Sequence, residues 1–195
     1  MLKKINFSLI ISVLVGSALF ANSLEVDSDA LKYKSMNAVR TASPPVIDGN
    51  LDDEVWSNAV VLDDFIQYEP YNLKAPSVET EVRVLYDDDY VYIAFQNFDP
   101  DPSSIMDRMS RRDDFEAIET NVDWVGFGID SNNDDMTGNW FMLTAAEVQL
   151  DVSINESGGW RDKYDISWNA VWDGKTQIHS EGWSAEVRVP FNVFQ

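Results

Sequence analysis

Glu81-Val82-Arg83-Val84-Leu85-Tyr86-Asp87-Asp88-Asp89-Tyr90-Val91-Tyr92-Ile93-Ala94-Phe95 decides the fold class. Before the acidic triplet, Val82, Val84 and Tyr86 share one parity while Glu81, Arg83 and Leu85 share the other. After it, Val91, Ile93 and Phe95 alternate with Tyr90, Tyr92 and Ala94. A period of two places successive side chains on opposite faces of an extended chain. The pattern predicts two half-buried antiparallel strands joined by a tight turn at Asp87–Asp89.

Working outward, the same period recurs. Val125, Phe127 and Ile129 predict a third strand over Asp123–Asp130, with Gly126 and Gly128 leaving space on its opposite face for a backbone or ring. Strands are expected at Trp140–Leu143 and Val148–Ile154. A closing strand puts Trp183, Ala185, Val187 and Val189 on its inner face. Gly158-Gly159 and Asp173-Gly174 read as turns. Upstream, Val46-Ile47 reads as a short strand and Asp48-Gly49 as a turn. A short helix from Asn50 would bury Leu51, Val55 and Trp56 on one face. A second short helix is expected within Ser103–Ser110. Many short strands separated by turns predict an all-β, jelly-roll-like antiparallel β-sandwich with one or two short helices.

Composition narrows the function. The 195 residues carry 34 acidic against 14 basic side chains, a net charge of −20. That balance argues against nucleic-acid binding, which needs clustered positive charge. There is no cysteine, so disulfides, thiolate zinc sites and a cysteine nucleophile are excluded. Lys3 and Lys4 precede an apolar run from Leu9 to Phe20 that ends in small residues, the pattern of a secretory signal. The expected organisation is a signal peptide over 1–21, a leader over 22–42 and one domain over 43–195. Cleavage after Ala21 would remove two lysines and no acids, taking the charge from −20 to −22. Export places the protein in the periplasm, outer envelope or extracellular space. Pro190–Gln195 still reads as domain interior, so the domain over 43–195 is expected to be truncated at its C-terminus, short of at least one strand, and an absent C-terminal domain is among the expected partners.

Three segments in order carry a likeness. They are Val46-Ile47-Asp48-Gly49-Asn50-Leu51-Asp52-Asp53-Glu54-Val55-Trp56, the hairpin quoted above, and Gly182-Trp183-Ser184-Ala185-Glu186-Val187-Arg188-Val189-Pro190-Phe191. Together they resemble carbohydrate-binding module family 9, and in particular a bacterial envelope subgroup in which such a domain precedes a large barrel-like region. The resemblance implies a β-sandwich, frequently with bound calcium, and a non-catalytic role on polysaccharide associated with carbohydrate catabolism. It also implies that a terminal sugar is held between two tryptophans. Here Thr120 stands at the first of those positions, with Phe115 the nearest upstream aromatic, and the second lies in a segment this chain does not contain. The polar pair expected on a later strand falls on Gln149 and Asp151, keeping the glutamine and losing an arginine.

Candidate residues follow from chemistry. A pyranose presents an apolar C–H face that packs on an aromatic ring. Trp160, after Gly158-Gly159 and before Arg161, is the candidate for an exposed stacking ring. Trp168 and Trp172 read as one face of a strand, either a platform or packing beneath the neighbouring sheet. With Arg161 and Gln149 they complete the candidate sugar site. Asp130, Asn132 and Asp134 alternate along a loop that could turn three oxygens onto calcium, although Asp135 and Phe141 break the EF-hand pattern. Catalysis finds little footing, since His179 is the single histidine and no phosphate-binding glycine loop is present. The alternatives are a structural domain with no ligand of its own and a haem-binding sandwich using Met136, Met142 or His179.

Overall fold

The computed structural model describes residues 36–116, 122–159 and 162–194. Among the described residues ten strands form two sheets: β1 (Val39–Arg40), β2 (Val61–Leu62), β3 (Thr80–Tyr86), β4 (Tyr90–Phe98), β5 (Trp124–Ile129), β6 (Thr137–Thr144), β7 (Gln149–Asn155), β8 (Tyr164–Asp165), β9 (Asp173–His179) and β10 (Gly182–Pro190). The larger sheet runs β1-β3-β4-β10-β9, with β2 also on β3; the smaller runs β5-β6-β7-β8. The pairing is antiparallel except between β1 and β3, where Val39 and Arg40 lie parallel to Leu85 and Tyr86. The leader therefore supplies a strand of the sheet.

The predicted hairpin is β3–β4, in register from Thr80↔Asn97 to Tyr86↔Val91. Its turn is held by Asp87, whose carboxylate accepts from the backbone N–H groups of Asp89 and Tyr90 and from the Tyr92 hydroxyl at 2.6 Å. Burial pushes that carboxyl up, but these hydrogen bonds outweigh it and hold the pKa below the usual carboxylate range.

The core lies between the sheets. Val82, Val84, Ile93, Phe95, Ala185 and Val187 meet Val125, Phe127, Phe141 and Leu143. Trp183 and Val189 join them, as the alternation of the closing strand predicts. The other face of the larger sheet is also buried, which the half-buried reading did not anticipate. Leu85, Tyr92 and Ala94 are covered by Trp56 and Ala59. Burying a side chain the size of Leu85 contributes about 2 kcal/mol. On the outside of the smaller sheet, the space over Gly126 and Gly128 is filled by the rings of Trp124 and Trp140.

Covering the larger sheet depends on one buried carboxylate. Glu186 of β10 accepts from the Trp56 indole N–H at 2.8 Å and from the backbone N–H groups of Asp48 and Gly49 at 2.9 Å each. Ser184 donates to the Gly49 carbonyl at 2.6 Å. Gly49 sits at φ +91°, and a Cβ there would lie 2.6 Å from the Thr176 backbone, so this turn admits only glycine. The helix that follows is a single 3-10 segment, Glu54–Asn58, shorter than expected and starting later than Asn50. Of the 103–110 stretch only Ser103 and Ser104 are helical, in the 3-10 turn Pro102–Ser104. Asp173-Gly174 is not a turn but the start of β9. The leucine methyls of Leu143 pack where a Cβ on Gly174 would stand.

Candidate functional site

Strand β7 pairs with β8 only at Ser153 and Ile154. Beside Gln149–Asp151 its exposed edge is closed instead by Asp113, whose N–H donates to the Gln149 carbonyl at 3.1 Å. The Asp113 carboxylate in turn accepts from the Asp151 N–H at 3.3 Å. A sheet edge left with open N–H and C=O groups invites such cover.

This contact carries Arg112 alongside. Its guanidinium donates to Gln149 Oε1, to Asp151 Oδ1 and, at 3.0 Å, to the Ala170 carbonyl. Asp151 is fully buried on the core-facing side of β7, opposite Phe141. It also accepts from the Ala170 N–H at 2.7 Å and the Trp172 indole N–H at 3.1 Å. Gln149 Nε2 donates to the Trp172 carbonyl at 3.2 Å. A buried carboxylate is tolerable only when paired and hydrogen-bonded, and a planar guanidinium fork serves several acceptors at once. The Arg112 side chain is 35% exposed, so the network reaches the surface through it.

Gln149 also borders an open groove of about 570 Å³, lined on its other sides by residues 45–47, Glu147, β9 residues 173–175 and Arg188. Two ion pairs flank it: Lys175 Nζ lies 2.7 Å from Glu147, and Arg188 Nε donates to Asp173 at 3.1 Å. The bond to Glu147 holds the Lys175 pKa above its ordinary value, and Asp173 does the same for Arg188. The Arg188 guanidinium lies 5.0 Å over the Tyr90 ring. Exposed pairs of this kind contribute about 0–1 kcal/mol to stability. Their hydrogen-bonding capacity is therefore open to exchange with hydroxyl groups of a ligand.

The structure brings Gln149 and Trp172 together, but not as a stacking surface. Trp172 is 5% exposed and meets Phe141 edge-on at 5.6 Å; half-buried Trp168 does so at 5.8 Å. Neither belongs to a strand. The connection after β8 folds both rings inward, where the Trp172 indole N–H serves Asp151, so no exposed Trp168–Trp172 platform forms. Trp160, Arg161 and Thr120 lie outside the described residues. Asp130, Asn132 and Asp134 stand together in the β5–β6 turn, where the two aspartate carboxylates are engaged with the turn and the Asn132 amide donates to the Thr137 hydroxyl at 3.0 Å. Asp130 accepts the N–H groups of Asn132, Asp134 and Asp135, and Asp134 accepts those of Met136 and Thr137 and the Thr137 hydroxyl. These bonds hold the Asp134 pKa below its ordinary value. No group of three or more His, Cys, Asp or Glu side chains that could hold a metal ion occurs among the described residues.

His179 ends β9, four residues beyond Lys175 of the groove and so about 13 Å along the strand. It contacts Gln96 and accepts the Glu181 N–H. Arg112 was not singled out from sequence, nor were the groove residues Glu147, Lys175, Asp173 and Arg188. The signal available was Arg111-Arg112-Asp113, a paired positive charge in a strongly acidic chain.

A search of curated proteins finds no match. The family model described as carbohydrate family 9 binding domain-like matches residues 47–194. The chain belongs to that family. Solved structures agree in fold. A family 9 carbohydrate-binding module from Caldicellulosiruptor kristjanssonii in complex with cellotriose is 19% identical, with a TM-score of 0.53, over 78% of this chain and 66% of that one. The same organism's module in complex with glucose gives 18% and 0.53, over 80% and 69%. A Bacteroides uniformis protein is 12% identical with a TM-score of 0.61, over 83% and 74%. This family 9 chain thus spans about two thirds of the length of the Caldicellulosiruptor modules.

Proposed function

We propose that this chain is a non-catalytic carbohydrate-binding domain of an exported protein, and that the groove beside Gln149 receives the sugar. The family match across residues 47–194 carries the reading. The groove supports it chemically. Sugar hydroxyls donate and accept, and a rim of amide, carboxylate, ammonium and guanidinium groups offers both roles within one open cleft. Arg112 fixes the Gln149 amide from behind, so the group facing the ligand is already oriented.

Co-sedimentation with insoluble cellulose and xylan, beside a reducing-sugar assay on the same samples, tests the proposal. Saturable depletion of the chain without release of reducing ends is expected. A folded chain that stays in solution with every polysaccharide overturns binding, and released reducing ends overturn the non-catalytic reading.

One observation favours a second reading, a structural domain that packs against another region. The groove is lined by no aromatic side chain among the described residues, while Trp168 and Trp172 turn inward. Failure to bind any glycan would put that reading first.

A further inference from the structure

Among the described residues two cations line the groove, Lys175 and Arg188, and they are held differently. Lys175 meets Glu147 through its ammonium, at the end of a flexible four-carbon stem. Arg188 is fixed on two sides. On β10 it stands opposite Asp173 of β9 and opposite Tyr92 of β4, so the three share one row of the larger sheet. Asp173 Oδ2 accepts from Nε at 3.1 Å and from Nη2, which engages one edge of the guanidinium and leaves Nη1 for another acceptor. Tyr90 is the diagonal neighbour on β4, within reach of a long side chain, and the guanidinium lies over its ring at 5.0 Å.

That ring is itself supported. Tyr90 begins β4, and its N–H donates to Asp87 Oδ1 at 2.8 Å within the hairpin turn. Its ring lies 6.0 Å from that of Tyr92, which is buried and anchored through its hydroxyl on the same Asp87 carboxylate. A line of support therefore runs from the turn, through two tyrosine rings, to a side chain that lines the groove. An arginine side chain has many rotamers, and a ligand that must first order it binds more weakly. The ring beneath and the carboxylate beside Arg188 order it beforehand.

We propose that Tyr90 is a positioning residue of the groove, acting through Arg188 by holding its guanidinium ready to donate to ligand oxygens. This rests on the reading that the groove binds carbohydrate. Packing alone asks only for an apolar side chain at position 90, where Tyr90 also borders the cluster of Trp56, Leu85 and Ala94. Positioning asks for a ring, because an aromatic face attracts a cation and an aliphatic one does not.

Affinities for cello- and xylo-oligosaccharides, read from amide chemical shifts, are compared for wild type, Tyr90→Phe and Tyr90→Leu, each with Arg188 and with Arg188→Met. Tyr90→Leu is expected to weaken binding about fivefold, and Tyr90→Phe, which keeps the ring, to restore it. With Arg188→Met, itself weaker than wild type, Tyr90→Leu makes no further difference. NMR relaxation of Arg188 Nε in the sugar-free wild type needs no variant: it should be rigid beside Arg111, whose side chain is 91% exposed. An Arg188 as mobile as Arg111, a Tyr90→Leu chain that binds like wild type, or an equal loss with and without the guanidinium overturns the proposal and leaves the groove in place. A folded wild type that binds none of these sugars overturns the groove reading, and this role with it.

Discussion

Glu186 and Asp151 are both fully buried carboxylates, and each takes the indole N–H of a tryptophan together with backbone amides. Glu186 meets only neutral donors. Burial, the largest influence, raises its pKa above the usual carboxylate range despite the hydrogen bonds from Asp48, Trp56 and Gly49. Its surroundings are sealed, and its work is to clamp residues 48–56 onto the outer face of the larger sheet. Asp151 has a cation, and that cation is partly in solvent and holds Gln149 at the edge of a groove. The same device serves two ends. With neutral partners it fixes the backbone; with a guanidinium partner it ties the core to a surface where a ligand can be read.

Breaking the neutral version should cost most. Glu186→Ala leaves the N–H groups of Asp48, Gly49 and Trp56 without their acceptor and opens a void, a loss of about 4 kcal/mol by chemical denaturation. Proteolysis should begin within residues 46–59 while the β3–β4 hairpin stays protected. Arg112→Ala follows, at about 3 kcal/mol, because it strands the buried Asp151 charge. Unlike Glu186→Ala, it should also weaken sugar binding, since Gln149 loses the group that orients it.

The pH response sharpens the contrast. With its folded pKa raised, Glu186 binds its proton more tightly in the folded chain than in the unfolded one. Stability from this group therefore falls as pH rises from the ordinary glutamate value, about 4.3, through the raised folded value. Thermal midpoints of wild type and Glu186→Gln across that window test the sign. Gln is offset downward at every pH, because its NH2 must face one of the three donors. Wild type should lose ground to Gln as pH rises; a gap that widens in favour of wild type contradicts the account. The smallest effect on folding is expected of Gln149→Ala, about 1 kcal/mol.

The residues explain why the fold was legible and the site only partly so. Alternation over 81–95, 123–130 and 182–189 is a local signal, and the strands and their inner faces follow from it. The turn at Asp48-Gly49 and the burial of Trp56 are equally local. Their common acceptor is not, since Glu186 lies 130 residues from Trp56 and nothing in its strand marks it from the other acids. Asp173-Gly174 has the composition of a turn, and only the packing of Leu143 against Gly174 shows why a strand needs that glycine. The spacing of Trp168 and Trp172 left both a platform and packing beneath the neighbouring sheet open, and the demand of buried Asp151 for a donor helps turn Trp172 inward. Arg112 sits in a connecting segment without periodicity, where no pattern announces that its partners are on β7.

Calorimetric titration with cello- and xylo-oligosaccharides, on wild type beside Gln149→Ala, tests the central claim most directly. The account predicts saturable binding by wild type and a groove contribution weakened about tenfold or more in Gln149→Ala, with the melting temperature lowered by only about 2–4 °C. Absence of heat from a folded wild-type chain with every sugar, or identical isotherms for the two proteins, would contradict it.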